Sequence, residues 1–364
     1  MTTSPLTIRS LAATAVSVPM RRAFGTSAQT FNAAPLLLVT LETSEGIAGH
    51  GYAFCYLDSV ARAMSAMVAD LSAFLAGQPV SPLDIGKALS RYFKLTGLYG
   101  PLCMLASAID TAAWDALALA ANMPLATLLG GSPRAVRAYN SNGLGLVEPP
   151  RAADEAESLL AGGFRAVKMR LGRASFADDL AAVRAVRKRL PDDVALMTDF
   201  NQALSIAQAL EYCPMLDGEG VYWIEEPIRH DSYEHLAQIA ARIDTPVQFG
   251  ENFVSVQPVF EAAKAEASDY LMFDLDRIGG VSGWRLASGI AASAGREVSS
   301  HLFPEVSAHL LAATPTAHWL EYVDWADAVL EEPLRIEDGF AMLTDRPGNG
   351  LSWNDAAVEA YRIA

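Results

Sequence analysis

The spacing of apolar residues predicts two kinds of structure in the first third of the chain. Apolar and β-branched residues alternate with polar ones in three early segments, a pattern typical of strands in an antiparallel sheet. These segments are residues 6–18, 35–43 and 48–56. Between residues 58 and 129 the apolar positions instead follow helical spacing. Strands followed by helices predict a self-contained α+β domain over residues 1–130.

Beyond residue 131, short apolar strands alternate with amphipathic helices, which indicates βα units and a parallel sheet. The strands are predicted at residues 138–142, 164–170, 194–200, 221–226, 247–251, 270–274, 298–301 and 318–322. This is the number of strands that closes a TIM barrel. The predicted fold class is therefore α/β: a modified, TIM-like (β/α) barrel over residues 131–325, capped by the α+β domain. Residues 326–364 show no regular pattern and are expected to pack back on the capping domain.

Composition and charge narrow the classes of partner. The chain of 364 residues is 51% hydrophobic, which is enough apolar surface for a large core. Its net charge of -15 gives a surface that repels nucleic-acid phosphates and anionic membranes, so we expect neither as a partner. Cys55, Cys103 and Cys213 lie far apart and form no disulfide or zinc pattern. Because we find no export signal, we expect a cytoplasmic protein that acts on a small molecule.

Ionisable side chains stand at the end of almost every predicted barrel strand. In a (β/α) barrel, the carboxyl ends of the strands form the mouth at which the chemistry takes place. These ends carry Lys168, Arg170, Asp199, Glu225, Glu251, Asp274, His301 and Glu321. From one strand to the next, these residues are about one βα unit apart, so we expect them at one level of the same mouth.

Three of these residues, Asp199, Glu225 and Glu251, come from consecutive strands and would repel one another without a cation between them. Ligation by oxygen alone favours Mg²⁺, with Mn²⁺ as the substitute, over zinc. The sequence therefore predicts a magnesium site at this mouth. For any one acid alone, a surface carboxylate is the simpler interpretation.

The remaining residues at the strand ends predict proton transfer beside the metal. Lys168 and Arg170 are two apart in a strand and face the same side, where a substrate carboxylate would pair with them; structural salt bridges are the alternative. Asp274 and His301 end adjacent strands, so the carboxylate can hold one ring nitrogen and leave the other as a base. Glu321, if kept protonated, could donate a hydrogen bond to an enolate oxygen; a solvated surface Glu is the alternative.

Long ungapped segments resemble the mandelate racemase/muconate lactonizing enzyme family of the enolase superfamily, and within it the mandelate racemases. The resemblance covers nearly the whole chain and is carried by residues 163–168, 223–227, 250–252, 278–281, 299–303 and 308–321. It implies that the three acids bind Mg²⁺ and that Lys168 and Ser141 contact the substrate carboxylate. Asn201 would touch the 2-hydroxyl, and Glu321 would be the electrophilic acid. The aspartate–histidine pair would act on one face of the α carbon, and the family's habit implies a symmetric homo-oligomer.

One position departs from the family's pattern. Mandelate racemases carry Lys-x-Lys on the second barrel strand, and the second Lys is the base for the opposite face; this chain has Arg170 there. Neutralising a side chain at pH 7 costs roughly 5 kcal/mol for Lys and about 8 kcal/mol for Arg. Burial shifts a Lys pKa by about 3 to 5 units, which covers most of the Lys cost but not the Arg cost. Two-base racemisation is therefore in question, whereas one-base chemistry through His301 is not.

Three functions are compatible with these residues. The first is racemisation or epimerisation of a 2-hydroxycarboxylate with an aryl or hydrophobic substituent. The second is dehydration of a sugar acid, with His301 as the single base and acid. The third, from another class, is a relative that binds carboxylates without catalysis. The intact Asp274–His301 pair argues against the third, because a protein that only binds needs no base.

Apolar side chains predict the substrate pocket. The flap over residues 20–31 resembles that of the family and carries two aromatic residues, and further pocket candidates lie outside it. The set is Phe24, Phe31, Phe54, Tyr56, Leu302 and Val323. An apolar flap favours an aryl or alkyl substituent over a polyol. Arg21 and Arg22 qualify this, since two cations near the flap could meet a second anionic group.

Overall fold

The computed structural model describes residues 6–26 and 29–363. Its N-terminal part contains β1 (Ile8–Gly25), β2 (Thr30–Thr43), β3 (Ala48–Phe54), α1 (Asp58–Leu75), α2 (Pro82–Tyr92), α3 (Pro101–Ala120) and α4 (Leu125–Leu128). The strands pair antiparallel in the order β1-β2-β3, and α1 and α3 pack on the sheet. This is the α+β cap that strands followed by helices predict.

A barrel of alternating strands and helices follows the cap. Its elements are β4 (Ala135–Asn140), α5 (Pro149–Ser158), β5 (Ala166–Arg170), α6 (Phe176–Arg189), β6 (Ala195–Asp199), α7 (Ile206–Leu216), β7 (Val221–Glu225), α8 (Tyr233–Ala240), β8 (Val247–Phe249), α9 (Gln257–Lys264), β9 (Tyr270–Asp274), α10 (Leu275–Ile278), α11 (Gly280–Ser293), β10 (Glu297–His301), α12 (Pro304–Ala312) and β11 (Leu320–Tyr322). Strands β4 to β10 pair in parallel with their sequence neighbours, and β11 pairs with β4. Backbone bonds from Ser300 N to Trp319 O and from His318 N to Val298 O join β10 to the chain around β11. Within the described residues the ring is therefore closed, and the predicted (β/α)-barrel class is confirmed.

Large side chains fill the interior of the barrel below its mouth. The cluster contains Tyr139, Met197, Trp223, Met272 and Trp319, and all are fully buried. Because side chains alternate along a strand, the neighbouring inward positions lie at the next level up. The Lys168 ammonium lies 5.6 Å from the centre of the Tyr139 ring. The packed interior therefore limits the site to the carboxyl ends of the strands.

Helix α3 is the core helix of the cap and also contacts α10 and α11 of the barrel. On its other side, Gly49 and Gly51 of β3 allow α3 to approach the sheet closely. A Cβ on Gly49 would lie 2.1 Å from the Ala112 carbonyl oxygen, and one on Gly51 would lie 2.3 Å from the Ala108 carbonyl oxygen. By length and composition alone α3 is able to cross a membrane, but 67% of its apolar window is buried in the fold. A core helix of a globular protein passes the same test.

Strands extend into the flap over residues 20–31, although the sequence predicts them only over residues 6–18 and 35–43. β1 continues to Gly25 and β2 begins at Thr30, with Phe24 opposite Phe31. The pairing changes register between Pro19 and Phe24. Such an irregularity absorbs extra residues on one strand, so β1 and β2 pair again beyond Pro19, the residue that follows the predicted first strand.

The segment over residues 326–364 is also more regular than predicted. It contains a 3-10 turn (Asp327–Val329), β12 (Ile336–Glu337), β13 (Phe340–Met342) and α13 (Asp355–Tyr361). β13 pairs antiparallel with β4 of the barrel, and α13 packs against β1. Ile363 N donates to Ala15 O at 3.0 Å. Asn349 donates through its backbone N to Asp115 at 2.7 Å and through Nδ2 to His50 O at 2.8 Å. The segment therefore contacts both the barrel and the cap.

Candidate active site

Asp199, Glu225 and Glu251 lie together at the mouth of the barrel. The first two are paired terminal residues of β6 and β7, and Glu251 follows the end of β8. One oxygen of each carboxylate lies within 4.8 Å of the others, and no other such group occurs among the described residues. All three are buried, and Glu251 Oε2 has no hydrogen-bond partner in the described part of the chain. This donor set, all oxygen with one oxygen that accepts no hydrogen bond from the described residues, fits Mg²⁺.

Buried donors fix the orientation of Glu225. Its Oε2 accepts from Trp223 Nε1 at 3.0 Å and from Gln248 Nε2 at 3.1 Å, and its Oε1 accepts from Lys168 Nζ at 2.7 Å. Burial raises the pKa of Glu225 to about 8, and Asp199 adds to this against the lowering effect of Lys168. A cation among the three acids would offset the repulsion between their carboxylates.

Lys168 and Arg170 point from β5 into the same cluster. Lys168 is fully buried, and its Nζ lies 2.8 Å from Glu321 Oε1 and 3.5 Å from Asp199 Oδ2, in addition to Glu225. Burial lowers the pKa of Lys168, but the surrounding carboxylates outweigh burial and raise it well above the ordinary value. Arg170 Nη2 lies 3.7 Å from Glu321 Oε1. The two cations therefore have protein carboxylates as partners, in addition to any substrate.

Asp274 and His301 form the predicted pair. They are paired terminal residues of β9 and β10, and Asp274 Oδ2 lies 2.6 Å from His301 Nδ1. His301 Nε2 lies 3.4 Å from Glu251 Oε2. Burial lowers the pKa of His301, but Glu251 and Asp274 outweigh burial and raise it to about 9. The ring is thus held at one nitrogen and presents the other to the metal-binding acids.

Glu321 and Ser141 contact each other at the mouth of the barrel. Glu321 is fully buried and accepts hydrogen bonds from Ser141 Oγ at 2.7 Å and Leu302 N at 3.0 Å, besides its ion pair with Lys168. Burial raises the pKa of Glu321, but Lys168, His301 and Arg170 outweigh it and hold the pKa below its usual range. In this arrangement both oxygens of Glu321 accept hydrogen bonds, and its role as a protonated donor to the enolate stays a prediction. Ser141 contacts Glu321 and does not line the cavity.

A cavity of about 290 Å³ lies above these groups. One side is aromatic: the ring centres of Phe54 and Tyr56 are 4.5 Å apart, those of Phe54 and Trp325 are 5.1 Å apart, and Phe31 lies 6.1 Å from Phe54. The other side is polar and includes Arg170, Asp199, Glu251 and His301. The cavity thus joins an apolar wall to the acid cluster and the base.

The structure places the predicted pocket residues in different positions. Phe31, Phe54, Tyr56, Leu302 and Asn201 line the cavity. Val323 is buried and lies behind this wall, because it lines a separate small space with Phe54 and Leu302. The side chain of Phe24 lies outside the described part of the structure. Arg21 and Arg22 line a different cavity, where they pair with Asp324 at 3.2 Å and Glu155 at 3.7 Å.

Several lining residues were missed by reasoning from the sequence. They are Thr26, Gln29, Gln202, Glu226, Asn252, Arg277 and Trp325. Glu226 is fully buried, and its two oxygens accept from Asn252 Nδ2 at 2.7 Å and Gln202 Nε2 at 3.0 Å. The available signal was position: Gln202, Glu226 and Asn252 each lie within three residues of a predicted metal ligand.

Comparisons with known proteins give consistent matches over the whole fold. Residues 8–130 match the family described as mandelate racemase / muconate lactonizing enzyme, N-terminal domain, and residues 151–357 match the enolase C-terminal domain-like family. An L-talarate/galactarate dehydratase of Salmonella typhimurium is 30% identical over 88% of this chain and 81% of its own length. A solved enolase from alpha proteobacterium bal199 with bound magnesium is 42% identical, with a TM-score of 0.95 over 98% of this chain and 100% of the other. A solved Bradyrhizobium enolase, complexed with magnesium and mandelic acid, is 38% identical, with a TM-score of 0.93 over 100% of both chains.

Proposed function

The chain belongs to the mandelate racemase/muconate lactonizing enzyme family of the enolase superfamily, and on this premise we propose that it removes the α proton of a 2-hydroxycarboxylate. Members of this superfamily are magnesium-dependent enzymes, and solved relatives carry magnesium. The proposal assigns the base to His301 and the intermediate to an enolate. The observation that carries it is the Asp274–His301 pair, whose free nitrogen faces a metal-binding acid at 3.4 Å.

Each side chain of the site has a task in this reaction. When Mg²⁺ is bound by the three acids, it withdraws electron density from the substrate carboxylate and so acidifies the α proton. Asp274 holds Nδ1 of His301, and the proton therefore goes to Nε2. Lys168 and the guanidinium of Arg170, which keeps its charge in proteins, stabilise the negative charge that develops on the enolate oxygens.

The apolar wall supports a substrate with an aryl or other hydrophobic substituent. Phe31, Phe54, Tyr56 and Trp325 together cover the side of the cavity away from the acids. Burying an aromatic ring against such a wall is favourable, while a polyol there would lose hydrogen bonds to water. The Bradyrhizobium relative that is complexed with mandelic acid agrees with this preference.

Dehydration of a hydroxylated acid is the second candidate, and Arg170 favours it. Racemisation needs a base on each face of the α carbon, whereas dehydration needs only His301. His301 would take the α proton, and the same proton would then leave with the β-hydroxyl as water when the C–O bond breaks. The resulting enol becomes a 2-keto acid. The similarity to the Salmonella dehydratase and the polar residues Gln202 and Asn252 in the cavity agree with this alternative.

Deuterium uptake separates the proposals. The magnesium-loaded protein is incubated in deuterated water with each enantiomer of mandelate and with galactarate, and proton NMR follows the α position. We expect α exchange of one mandelate enantiomer. The exchange should be lost in His301→Asn and retained in His235→Asn, a matched change on helix α8. Formation of a keto acid from galactarate supports dehydration. Binding of acids without exchange and without keto-acid formation would overturn both proposals and leave carboxylate binding without catalysis.

A further inference from the structure

Arg277 occupies a position between the cap, the metal site and the base. It lies in the short helix α10, three residues after Asp274. Its backbone N donates to Asp274 Oδ1 at 3.0 Å, opposite the oxygen that holds His301. Its side chain lines the cavity and contacts the segment after β8. Arg277 therefore contacts the Asp274–His301 pair and the segment of a metal-binding acid, but it is neither a base nor a metal ligand.

The guanidinium joins a cap residue to the segment that carries a metal ligand. Nη2 donates to the Tyr56 hydroxyl at 2.7 Å. Nη1 donates to Asn252 Oδ1 and to the Glu251 carbonyl oxygen, the latter at 3.4 Å. Asn252 in turn donates to Glu226 at 2.7 Å. One planar cation thus fixes the backbone of Glu251 and the side chain that follows it.

The segment at the Tyr56 end of this connection needs such support. Tyr56 has φ of 61°, a conformation that is unfavourable for a residue with a side chain, whereas Gly250, just before the metal ligand, has φ of 133°, which a glycine adopts without this cost. Backbone held in such conformations persists only where surrounding contacts fix it. The Tyr56 hydroxyl is one contact and the Glu251 carbonyl is another, and Arg277 supplies a donor to both.

We propose that Arg277 is a positioning residue that couples the seating of the cap at Tyr56 to the affinity of the metal site at Glu251. The connection from Tyr56 through Arg277 to Glu251 predicts that a change in the cap alters the affinity of the metal site. Tyr56 is not one of the three metal-binding acids, yet loss of its hydroxyl should weaken metal binding because Arg277 then has one fewer anchor. The proposal rests on magnesium binding and not on the reaction catalysed.

Titration of the full chain with Mg²⁺ by calorimetry, in the absence of substrate, tests the coupling. Arg277→Met should weaken Mg²⁺ binding roughly 10-fold to 100-fold, the usual effect of losing a residue that orients a ligand. Tyr56→Phe keeps the ring against Phe54 and should weaken binding about threefold to tenfold. The double variant should bind no more weakly than Arg277→Met, because both changes break the same connection. Arg277→Lys, which keeps the charge and one donor, should be intermediate.

Tyr222→Phe is the matched control, because it removes a hydroxyl that contacts His318 at 2.9 Å instead of Arg277. It should leave Mg²⁺ affinity unchanged. A purely structural role of Tyr56 would lower the unfolding temperature without moving the Mg²⁺ affinity, so both are measured. Wild-type affinity in Tyr56→Phe, or losses that multiply in the double variant, would overturn the coupling. If Arg277→Met does not fold, Tyr56→Phe, Arg277→Lys and Tyr222→Phe still decide the question. Failure of the enzymatic proposal would leave these results unaffected.

Discussion

Replacing Glu305 by Gln should stabilise the protein, and the gain should appear only as the pH rises. Glu305 is in the first turn of α12, is 4% exposed and accepts a hydrogen bond from the Tyr52 hydroxyl of the cap at 2.8 Å. Burial, with the nearby charge of Asp327, raises the pKa of Glu305 from 4.5 to about 7. The folded protein therefore prefers the neutral carboxylic acid at this position. A Gln keeps the shape and the acceptor oxygen but cannot ionise.

The size of the effect follows from the pKa shift. A rise from 4.5 to about 7 corresponds to about 3 kcal/mol when the group is fully ionised, at about 1.4 kcal/mol per pKa unit. The sign follows from proton binding: a raised folded-state pKa gives stability that is complete below pH 4.5 and is lost as the pH rises through about 7. The advantage of Glu305→Gln over the wild type should grow by about 2 kcal/mol between pH 5.5 and 8.5.

Urea unfolding of the two proteins at several pH values in this range measures the difference, and Glu331→Gln serves as the control. Glu331 is exposed on the C-terminal segment, so its replacement should change stability little at any pH. An advantage of Glu305→Gln that is constant with pH would show that Glu305 does not titrate in this range. A variant that becomes less stable than the wild type as the pH rises would show that the ionised form is favoured. Either result would refute the reasoning from burial.

Three further changes test the catalytic site. Asp274→Asn should slow deuterium exchange at the α carbon by roughly two to four orders of magnitude, because the ring of His301 loses its orienting carboxylate. Calorimetry should find the Mg²⁺ affinity little changed. Unchanged exchange would exclude the Asp274–His301 pair from catalysis. Arg170→Lys lowers the free-energy cost of deprotonating this side chain by about 3 kcal/mol, so NMR should detect faster α exchange of the slow enantiomer, by roughly two orders of magnitude. If both enantiomers exchange at equal rates in the wild type, and one of them stops exchanging in Arg170→Ala, Arg170 already acts as a base. Trp223→Phe removes the 3.0 Å hydrogen bond to Glu225 and should weaken Mg²⁺ binding by roughly 10-fold to 100-fold. Unchanged Mg²⁺ affinity in calorimetry would show that the indole does not orient Glu225 for the metal.

The barrel and the acids at its mouth could be predicted because both depend on short-range rules. Parallel strands of similar length end at one level, so Asp199 and Glu225 pair in register as their spacing requires. Glu226 shows where this reasoning ends. Alternation alone would direct it away from its neighbour Glu225, but its φ of 39° turns the chain, and its side chain lines the cavity. A conformation of this kind has no signal in the pattern of apolar residues.

Contacts between residues that are far apart in the sequence could not be predicted either. The surroundings of Glu321 include Lys168, which lies in another strand, and donors such as Leu302 N. The sequence supplied each group but not the number of donors that meet at one carboxylate. The contact of Ser141 is of the same kind, because its hydroxyl donates to Glu321, far from it in the sequence.

The contact between the C-terminal segment and β1 has a consequence for how this protein is synthesised and how it can be rebuilt. Val16 pairs with Arg362, and Ile363 donates to Ala15. The cap therefore cannot complete this pairing until residues 362 and 363 have been synthesised, and a pairing between residues so far apart in the sequence is slow to form. A chimera that takes residues 8–130 from a relative would leave Asn349 opposite foreign counterparts of Asp115 and His50. Exchange of substrate pockets between relatives requires the cap and the C-terminal segment to be transferred together.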